Sequence, residues 1–452
     1  MILRMLVTGI LLCAAFVAGV PHVVALWPQQ PEKVAPPSLK TPPVQFFETG
    51  RLPSSPTVQD QGPVAVMANR PPRPENDAEA VLMRGLLFFQ EGNVEAAITL
   101  VRQVTAEAPR FELAHLVLGD LLTSRIAPVE SLGGQGLTAD EARARDKRLK
   151  ELRSEARARL KGYLSLLNAQ HIPDVLVTLG DQVPYALVID KSKNRLYVYR
   201  HTGSGMPPQL VDDFYIVLGR KTGDKRFEGD LKTPTGTYFV TSYLEPETLP
   251  PMYGSGAFPI NYPNEYDRRQ RKTGYGIWLH GTDRSLYSRP PLDTEGCVVL
   301  TNEEFVRIKQ YIRIGQTPVI ISEELVWLPP SQWLRHKQDI ASALEQWRRS
   351  WEVADIDSYL QMYAADFWTP EHDLNSWKSY KQRVFAGKTF QQIEFSDLSV
   401  VGYPRGLDDR PVVVANFVQH YRSNNYNGDM RKRLYLVKEQ EGWRVLYEGR
   451  QQ

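Results

Sequence analysis

Apolar and polar residues alternate with a period of two over the middle of the chain. Ala186–Ile189 and Arg195–Tyr199 are two such runs, and Lys191–Asn194 between them is typical of a hairpin turn. Further strands are predicted at Phe214–Leu218, Gly236–Thr241, Gly276–His280 and Pro318–Ser322. A single helix, over Asn302–Tyr311, is predicted to interrupt the strands. The pattern therefore predicts a mainly β domain over residues 183–323.

The period changes to three and four over residues 76–170, which is typical of amphipathic helices. Leu82–Gly85 and Leu116–Gly119 lie 34 residues apart, the length of a tetratricopeptide repeat. Only about one and a half repeats fit, and three or more are usually needed for independent stability. We therefore expect this TPR-like α-helical region to pack against the next domain. The pattern leaves open whether the helices dock a protein partner or act as a spacer.

Helical spacing returns after Ser331, over Ile340–Trp351 and Ile356–Tyr363. The strands predicted to follow are Ile393–Val401, Val412–Tyr421, Arg431–Val437 and Trp443–Tyr447. Helices followed by an antiparallel sheet predict an α+β domain over residues 331–452. Its helical aromatic residues are assigned to the core in preference to a ligand pocket. They are Trp347, Trp351, Tyr359, Tyr363 and Phe367.

An apolar run dominates residues 1–27 and has the length of a signal peptide or a membrane anchor. Leu26 follows the small residues Val23–Ala25 and makes a poor cleavage site, which favours a retained anchor. Residues 28–75 are rich in Pro, Gln and Ser, and this composition predicts a disordered linker. We therefore expect a protein of the periplasm or cell envelope, held in the inner membrane by its N-terminal segment.

The charge and the cysteine content narrow the classes of function that the chain could have. The 452 residues carry a formal charge of +2, so no nucleic-acid partner is expected. The histidines other than His280 show no metal-ligand spacing, and neither a metal nor a cofactor is expected. Of the two cysteines, Cys13 lies in the N-terminal apolar run, which leaves Cys297 as an unpaired thiol. Cys297 is a candidate nucleophile, and a small buried apolar residue is the alternative.

His280 ends a predicted strand, and Cys297 follows 17 residues later, shortly before the predicted helix. A neighbouring His and a helix N-terminus both lower the pKa of a thiol, and the thiolate is the reactive form. The spacing therefore predicts an activated Cys–His pair in which the thiol pKa is lowered. Taken alone, it fits a buried Cys and a structural His equally well.

The surrounding residues resemble the catalytic motif of the L,D-transpeptidase (YkuD) family, in which His-Gly is followed by Ser/Thr-x-Gly-Cys. The corresponding elements here are His280–Gly281 and Thr294–Cys297, and Gly229–Tyr238 looks like the family's Gly-Asp-x-x-Thr-Pro-x-Gly segment. The resemblance covers about a third of the chain. It implies that Cys297 is the nucleophile, that His280 is its base, and that the Gly281 carbonyl orients the imidazole.

The resemblance also implies roles for the neighbours of Cys297. The N–H groups of Gly296 and Cys297 are candidates for an oxyanion hole, and Thr294 is a candidate for a hydrogen bond within the site. Two residues depart from the family pattern. Glu295 stands where many members have a second His, and Val299 stands where many have Arg or Asn. These departures put the preference for the acyl acceptor in doubt.

A basic cluster, Asp267–Lys272, comes just before the strand that ends in His280. Arg guanidinium groups match carboxylates in geometry. We therefore predict a lid that pairs with carboxylates of the peptidoglycan stem peptide, the substrate that the family resemblance implies. The lid residues are Arg268, Arg269 and Arg271. A solvated loop is the alternative interpretation.

The whole arrangement resembles a subgroup of cell-shape-determining L,D-carboxypeptidases whose last domain is NTF2-like. Arg431–Leu436 and Gly442–Val445 resemble the final strands of that domain. The implied partners are peptidoglycan stem peptides, with Cys297 forming a thioester and releasing D-alanine. An amine acceptor would make the protein an L,D-transpeptidase, and water would make it an L,D-carboxypeptidase. A non-catalytic envelope scaffold is the remaining alternative, and the intact motif argues against it.

Overall fold

The computed structural model of the chain describes residues 77–129, 131–133, 139–165, 171–203, 205–406 and 409–451, without the side chains of 139–144. The predicted anchor (1–27) and linker (28–75) lie outside the described residues and stay predictions. Within the described ranges, no helix is both long enough and apolar enough to cross a membrane.

Among the described residues, four helices precede the β domain. They are α1 (Ala78–Gln90), α2 (Val94–Glu107), α3 (Glu112–Thr123) and α4 (Ala139–Leu164). Asp77 and Asn93 begin α1 and α2, because their side chains accept hydrogen bonds from backbone N–H groups that have no partner within the helix. The helices share one buried apolar core. The predicted helical region is thus confirmed, whereas its TPR-like character stays a prediction.

Short strands make up the middle of the chain. They are β1 (Ile172–Pro173), β2 (Leu176–Thr178), β3 (Tyr185–Asp190), β4 (Arg195–Arg200), β5 (Gln209–Tyr215), β6 (Leu218–Gly219), β7 (Gly236–Phe239), β8 (Ala257–Pro259), β9 (Trp278–His280), β10 (Leu292–Thr294), β11 (Val298–Val299), β12 (Pro318–Ser322) and β13 (Trp327–Leu328). Two short helices join them, α5 (Glu265–Arg269) and α6 (Asn302–Ile308). The six predicted strands and the helix at Asn302 each overlap an observed element, whereas α5 and the short strands β1, β2, β8, β10, β11 and β13 were not predicted.

The main sheet of this domain has the strand order β5-β4-β3-β12-β7. The predicted hairpin is present, because β3 pairs antiparallel with β4 across a turn that ends at Asn194 with φ +49°. A second sheet, in the order β11-β9-β8, packs its apolar residues against the same core. This smaller sheet carries both motif segments.

The last part of the chain is an α+β domain, as predicted. Its helices are α7 (Pro330–Val353), α8 (Ile356–Gln361) and α9 (Leu374–Ala386), and its strands are β14 (Tyr363–Trp368), β15 (Gln391–Tyr403), β16 (Val412–Ser423), β17 (Asn427–Glu439) and β18 (Gly442–Arg450). The prediction that a helix continues to Tyr363 is wrong. Tyr363 instead begins β14 and pairs with Val445 of β18, so tertiary strand pairing overrides the local helical pattern.

The strand β2 belongs to the sheet of the C-terminal domain, whose other strands come much later in the sequence. The six-stranded sheet of the C-terminal domain has the order β14-β18-β17-β16-β15-β2. β2 lies before the β domain, yet it pairs antiparallel with β15 through Leu176 and Val401. The indole N–H of Trp333 in α7 also donates to the Leu176 carbonyl over 2.7 Å. The segment between the helical region and the β domain therefore completes the C-terminal domain.

The aromatic side chains of the C-terminal domain form its core, which confirms the interpretation favoured from the sequence. The core also contains charges. Lys381 is 5% exposed, and its ammonium lies 4.3 Å from the ring centroid of Trp351. Lys432 and Glu448 form a buried ion pair beside it. Burial lowers the pKa of Lys381 to about 7.

Candidate active site

Strand pairing brings the two predicted catalytic residues together. β9 and β11 run parallel, with Leu279 opposite Val298 and His280 opposite Val299. Cys297 directly precedes β11, and its Sγ lies 3.4 Å from the carbonyl oxygen of Gly276, two residues before β9. Strand pairing thus places the thiol beside the strand that ends in His280.

The predicted orientation of His280 is present. Its Nδ1 lies 2.6 Å from the carbonyl oxygen of Gly281. A carbonyl only accepts hydrogen bonds, so Nδ1 carries the proton and Nε2 keeps its lone pair as a base. The ring of Tyr253 meets the imidazole edge-on, with the centroids 4.9 Å apart. Burial lowers the pKa of His280 to about 4, and the charge of Arg289 also lowers it.

The thiol differs from the prediction. Cys297 is partly buried, and its Sγ lies 3.4 Å from the Gly276 carbonyl oxygen, which favours the protonated thiol. Burial raises the pKa of Cys297, although the Trp278 backbone N–H and the charge of Arg289 lower it. The predicted lowering of the thiol pKa is therefore wrong, because removal from water outweighs the nearby dipoles and charges. The resting pair is a neutral thiol and a neutral imidazole.

Thr294 and Gly296 shape the turn that presents Cys297. The Thr294 hydroxyl donates to the Cys297 carbonyl over 2.8 Å and accepts from the Gly296 N–H over 3.1 Å. Gly296 has φ +136°, and a Cβ there would lie 2.8 Å from the Lys232 carbonyl oxygen. Thr294 thus makes its predicted hydrogen bond within the site. The Gly296 N–H, a predicted oxyanion donor, already has a partner in the turn.

Asn302 is a site residue that the sequence reasoning missed. Its Oδ1 accepts from the Ser255 N–H over 2.9 Å, and its Nδ2 donates to the Thr282 carbonyl over 2.8 Å. A Cβ on Gly281 would lie 2.4 Å from Asn302 Oδ1, so the amide packs directly on this glycine. Asn302 therefore fixes the backbone that follows His280. No local sequence signal distinguishes it from an ordinary first residue of a helix.

The Gly-Asp-x-x-Thr-Pro segment supports the site and adds no reacting group. The Asp230 carboxylate accepts from Lys225 Nζ over 2.8 Å and from the backbone N–H groups of Arg226, Phe227 and Lys232. These donors lower the pKa of Asp230 to about 2. Thr233 accepts from the Gly219 N–H over 2.9 Å. The carboxylate thus organises a loop that packs behind the turn at Gly296.

The predicted lid residues lie on an exposed segment that faces the C-terminal domain. Arg268 donates to the Pro263 carbonyl over 2.6 Å, and Arg269 donates to the Asp366 carbonyl over 3.3 Å. The Arg269 guanidinium also lies 5.3 Å from the ring centroid of Trp368. Arg271 is exposed and has φ +58°. These contacts associate Arg268 and Arg269 with their own segment and the neighbouring domain, and their role as a substrate lid stays a prediction.

Glu295 and Arg289 complete the surroundings of the thiol. The Glu295 side chain is 78% exposed, with its carboxylate 3.8 Å from Arg220 Nη1, so it points outward from the turn. Arg289 is the cation whose charge reaches both His280 and Cys297. Sequence reasoning missed Arg289 because nothing in its neighbourhood, Ser288–Pro291, differs from a polar loop. Among the described residues, no group of three or more His, Cys, Asp or Glu side chains is arranged to hold a metal ion.

Comparisons with known proteins agree with this geometry. Residues 184–321 match the family described as the L,D-transpeptidase catalytic domain (YkuD), and residues 339–449 match the Cds6 C-terminal NTF2-like domain. The structure of Bd1075 from Bdellovibrio bacteriovorus is 27% identical, with a TM-score of 0.55, and the match covers 62% of this chain and 98% of that one. The helical cell shape determining protein Pgp2 from Campylobacter jejuni is 27% identical, with a TM-score of 0.52, over 61% of this chain and 95% of that one. A search of curated protein sequences found no match.

Proposed function

Because the chain carries a YkuD-type L,D-transpeptidase catalytic domain followed by a C-terminal NTF2-like domain, we propose that it is a cysteine acyltransferase of peptidoglycan. Its substrate is the stem tetrapeptide, and its reaction is L,D-transpeptidation. The observation that carries the proposal is the pairing of the strand that ends in His280 with the strand that begins just after Cys297, with the imidazole oriented by the Gly281 carbonyl.

Proton transfer accompanies the attack in this mechanism. Since burial keeps both groups neutral, His280 Nε2 takes the proton of Cys297 as the sulfur bonds to the carbonyl carbon of the third stem residue. The carbon–nitrogen bond to the terminal D-alanine then breaks. His280 returns the proton to the departing amine, which leaves a thioester on Cys297. The Cys297 backbone N–H is the remaining candidate donor to the developing oxyanion, because the Gly296 N–H donates to the Thr294 hydroxyl.

The second half of the reaction distinguishes two products. An amine of another stem peptide resolves the thioester and gives a cross-link, which is the transpeptidase outcome. Water resolves it to a tripeptide, which is the carboxypeptidase outcome and our second candidate. Similarity to a helical cell shape determining protein favours the second candidate, since trimming of stem peptides changes the supply of cross-linking substrates.

The proposed substrate also sets the cellular location. Peptidoglycan lies outside the cytoplasm, so we propose that residues 1–27 export the protein and hold it at the inner membrane. The α1–α4 helices remain a proposed docking surface for a protein partner. Fractionation of cells that express the full chain and a form without residues 1–27 tests the first point, because only the full chain should sediment with membranes.

Mass spectrometry of purified muropeptides tests the proposed reaction. The full chain should convert tetrapeptides to cross-linked dimers or to tripeptides, and the Cys297→Ala variant should yield neither product. Cys13→Ala is the matched control and should retain activity, because Cys13 lies in the N-terminal apolar run. Dimers joined through two third-position residues identify a transpeptidase, and tripeptides without dimers identify a carboxypeptidase. Absence of any Cys297-dependent product would overturn the proposal and favour a scaffold.

A further inference from the structure

Two aromatic side chains are exposed to solvent beside the catalytic cysteine, and the mechanism above does not use them. Tyr275 is 75% exposed and Phe227 is 61% exposed. We propose that they form a saccharide-binding platform, which holds the sugar that carries the stem peptide under attack. The assignment rests on the proposed function and adds recognition of the sugar to it.

The degree of exposure sets these two residues apart. Among the described residues, Tyr275 and Phe227 are the two most exposed aromatic side chains. The other exposed aromatic residues all lie in the C-terminal domain, and they are Tyr380, Phe390 and Tyr426. Single exposed apolar residues are common, whereas a group of them beside a reactive side chain is typical of a ligand-binding surface. The pair is therefore a candidate contact surface for the substrate.

The two aromatic residues lie on neighbouring segments of the chain. The Thr273 N–H donates to the Arg226 carbonyl over 3.0 Å. A Cβ on Gly274 would lie 3.3 Å from the Cα of Glu228. The backbone that carries one aromatic residue therefore packs directly on the backbone that carries the other.

The backbone of Phe227 is held on both sides. Its N–H donates to the Asp230 carboxylate over 3.2 Å, and its carbonyl accepts from Lys225 Nζ over 3.1 Å. Lys225 and Asp230 are themselves buried and form an ion pair at 2.8 Å. The exposed ring is thus attached to a fixed backbone. A surface that is formed before the ligand arrives loses little conformational entropy on binding.

The direction of the substrate follows from the proposed chemistry. His280 returns a proton to the amine of the departing D-alanine, so that residue lies towards the imidazole. The sulfur of Cys297 lies 3.4 Å from the Gly276 carbonyl oxygen, four residues before His280 in the chain. The part of the peptide that stays on the sulfur therefore extends away from the imidazole, towards Gly276 and its neighbour Tyr275.

The length of the peptide brings the sugar to the same place. A stem peptide is joined to its sugar through the first residue, and the attack takes place at the third. Two residues of extended chain span about 7 Å. Tyr275 is bonded to the glycine that contacts the sulfur, and their Cα atoms are about 3.8 Å apart, so its ring lies within that range. A sugar ring has a face of C–H groups that packs on an aromatic ring, and the Tyr hydroxyl can bond to its polar edge.

Binding to a protein that cannot react tests the platform. The Cys297→Ala form of the full chain is titrated by calorimetry with a disaccharide tetrapeptide and with the same tetrapeptide without its sugars. We expect the sugar-linked form to bind about tenfold more tightly, as burial of one sugar face predicts. Adding Tyr275→Ala and Phe227→Ala together should reduce this ratio to about one without changing the affinity for the free tetrapeptide. Tyr275→Phe should keep most of the ratio, because the ring remains.

Phe390→Ala is the matched control, because Phe390 is an exposed aromatic residue of the C-terminal domain. It should leave the ratio of the two affinities unchanged. An equal fall of the ratio in the control and in the double variant would overturn the assignment, as would equal affinity for both ligands in the parent protein or binding of neither.

The platform and the proposed reaction can fail separately. Binding of the free tetrapeptide with no preference for the sugar-linked form would reject the platform and leave the reaction in place. A ratio that depends on Tyr275 and Phe227, in a protein whose Cys297 yields no product, would support the platform and reject only the reaction.

Discussion

Two interfaces flank the catalytic domain, and both contain buried charge. On the helical side, the Glu79 carboxylate lies 2.9 Å from Arg159 Nη1 and 2.8 Å from Arg195 Nη2. Arg195 also pairs with Asp213. On the C-terminal side, Lys272 Nζ lies 2.9 Å from the carboxylates of both Asp224 and Asp267. Each cluster lies out of contact with water, where single charges are costly unless they are paired.

The interfaces differ in the segment that they hold. The helical region contacts the segment between His280 and Cys297 through Arg159 and Ser288. The C-terminal domain instead bonds to the main sheet, where the Thr237 hydroxyl donates to the Gly402 carbonyl over 2.6 Å. It also contributes Tyr403, whose hydroxyl donates to Asp267 over 3.0 Å. Buried ion pairs therefore occur at both interfaces. The helical interface holds the segment between the two catalytic residues, whereas the C-terminal interface holds the main sheet.

The largest expected effect comes from breaking the helical cluster. Arg195→Ala leaves the carboxylates of Glu79 and Asp213 with one fewer buried cation. We expect the free energy of unfolding to fall by about 3–5 kcal/mol, the usual cost of removing one partner of a buried pair. Urea denaturation of the full chain measures it. Arg125→Ala, which removes an exposed pair with Glu95, should cost about 0–1 kcal/mol, and equal losses would contradict the comparison.

The next largest effect is on the acid limb of the pH–activity profile, which should respond to a change near the helical interface and not to one at the C-terminal interface. Neutral His280 is the base, and its pKa is lowered to about 4. kcat/KM should therefore be flat above this pH and fall about tenfold per pH unit below it. Arg289→Ala removes a charge that lowers this pKa, so the acid limb should move to higher pH. Tyr403→Phe, at the C-terminal interface, should leave the limb in place.

Steady-state rates between pH 3 and pH 7 give both profiles, with circular dichroism confirming the fold at each pH. A wild-type limb near the ordinary histidine pKa of about 6.5 would contradict the burial argument. An equal shift in the two variants would show that the two interfaces act on the site alike.

A pair of conservative substitutions sharpens the contrast further. Ser288→Ala and Thr237→Val each remove one hydroxyl that bonds across an interface. Each should lower the free energy of unfolding by about 1–3 kcal/mol, because a buried partner is left unsatisfied. Only Ser288→Ala should also lower kcat/KM by more than about twofold, because it releases the residue next to Arg289. Parallel losses of activity in both variants would remove the distinction.

The smallest expected effect is a change in how the free energy of unfolding depends on pH. Burial, with the charge of Glu79, raises the pKa of Glu304 to about 7 at the helical interface. Between about 4.5, its ordinary value, and 7, the folded protein binds more protons than the unfolded chain. The stability from this group is therefore present below about pH 4.5 and is lost as pH rises through 7.

Glu304→Gln should flatten that slope while keeping an acceptor for Thr301, which caps α6. Unfolding free energies at pH 5 and pH 8 for both proteins give the comparison. Asp120, whose pKa burial also raises to about 6, is retained in both proteins and cancels in the difference. Identical slopes would show that Glu304 is ionised in the folded state.

Local patterns in the sequence predicted the local parts of this structure. The hairpin at Asn194 and the strand that ends in His280 each depend on a few neighbouring residues. Arg289 and Asn302 escaped prediction because their roles depend on contacts with distant segments. The thiol pKa was predicted in the wrong direction, since a motif shows which groups are near Cys297 but not how far folding removes it from water.

Domain boundaries show the same limit. A change of period predicted a β domain beginning near residue 183 and an α+β domain after residue 331, and β3 and α7 begin at Tyr185 and Pro330. The short apolar run Leu176–Thr178 offered no sign of which sheet it joins. Strand pairing with β15 assigns it to the domain that comes last.

The position of β2 has a consequence for how such proteins are assembled from modules. Leu176 pairs with Val401, 225 residues later, so two separate segments of the sequence form the C-terminal domain. A fusion that joins a foreign C-terminal domain after residue 330 would leave β2 without its partner and the new sheet without an edge strand. Exchange of that domain between proteins therefore requires two crossovers. The catalytic domain lies in the sequence between β2 and the rest of the C-terminal domain, so it stays between these two parts.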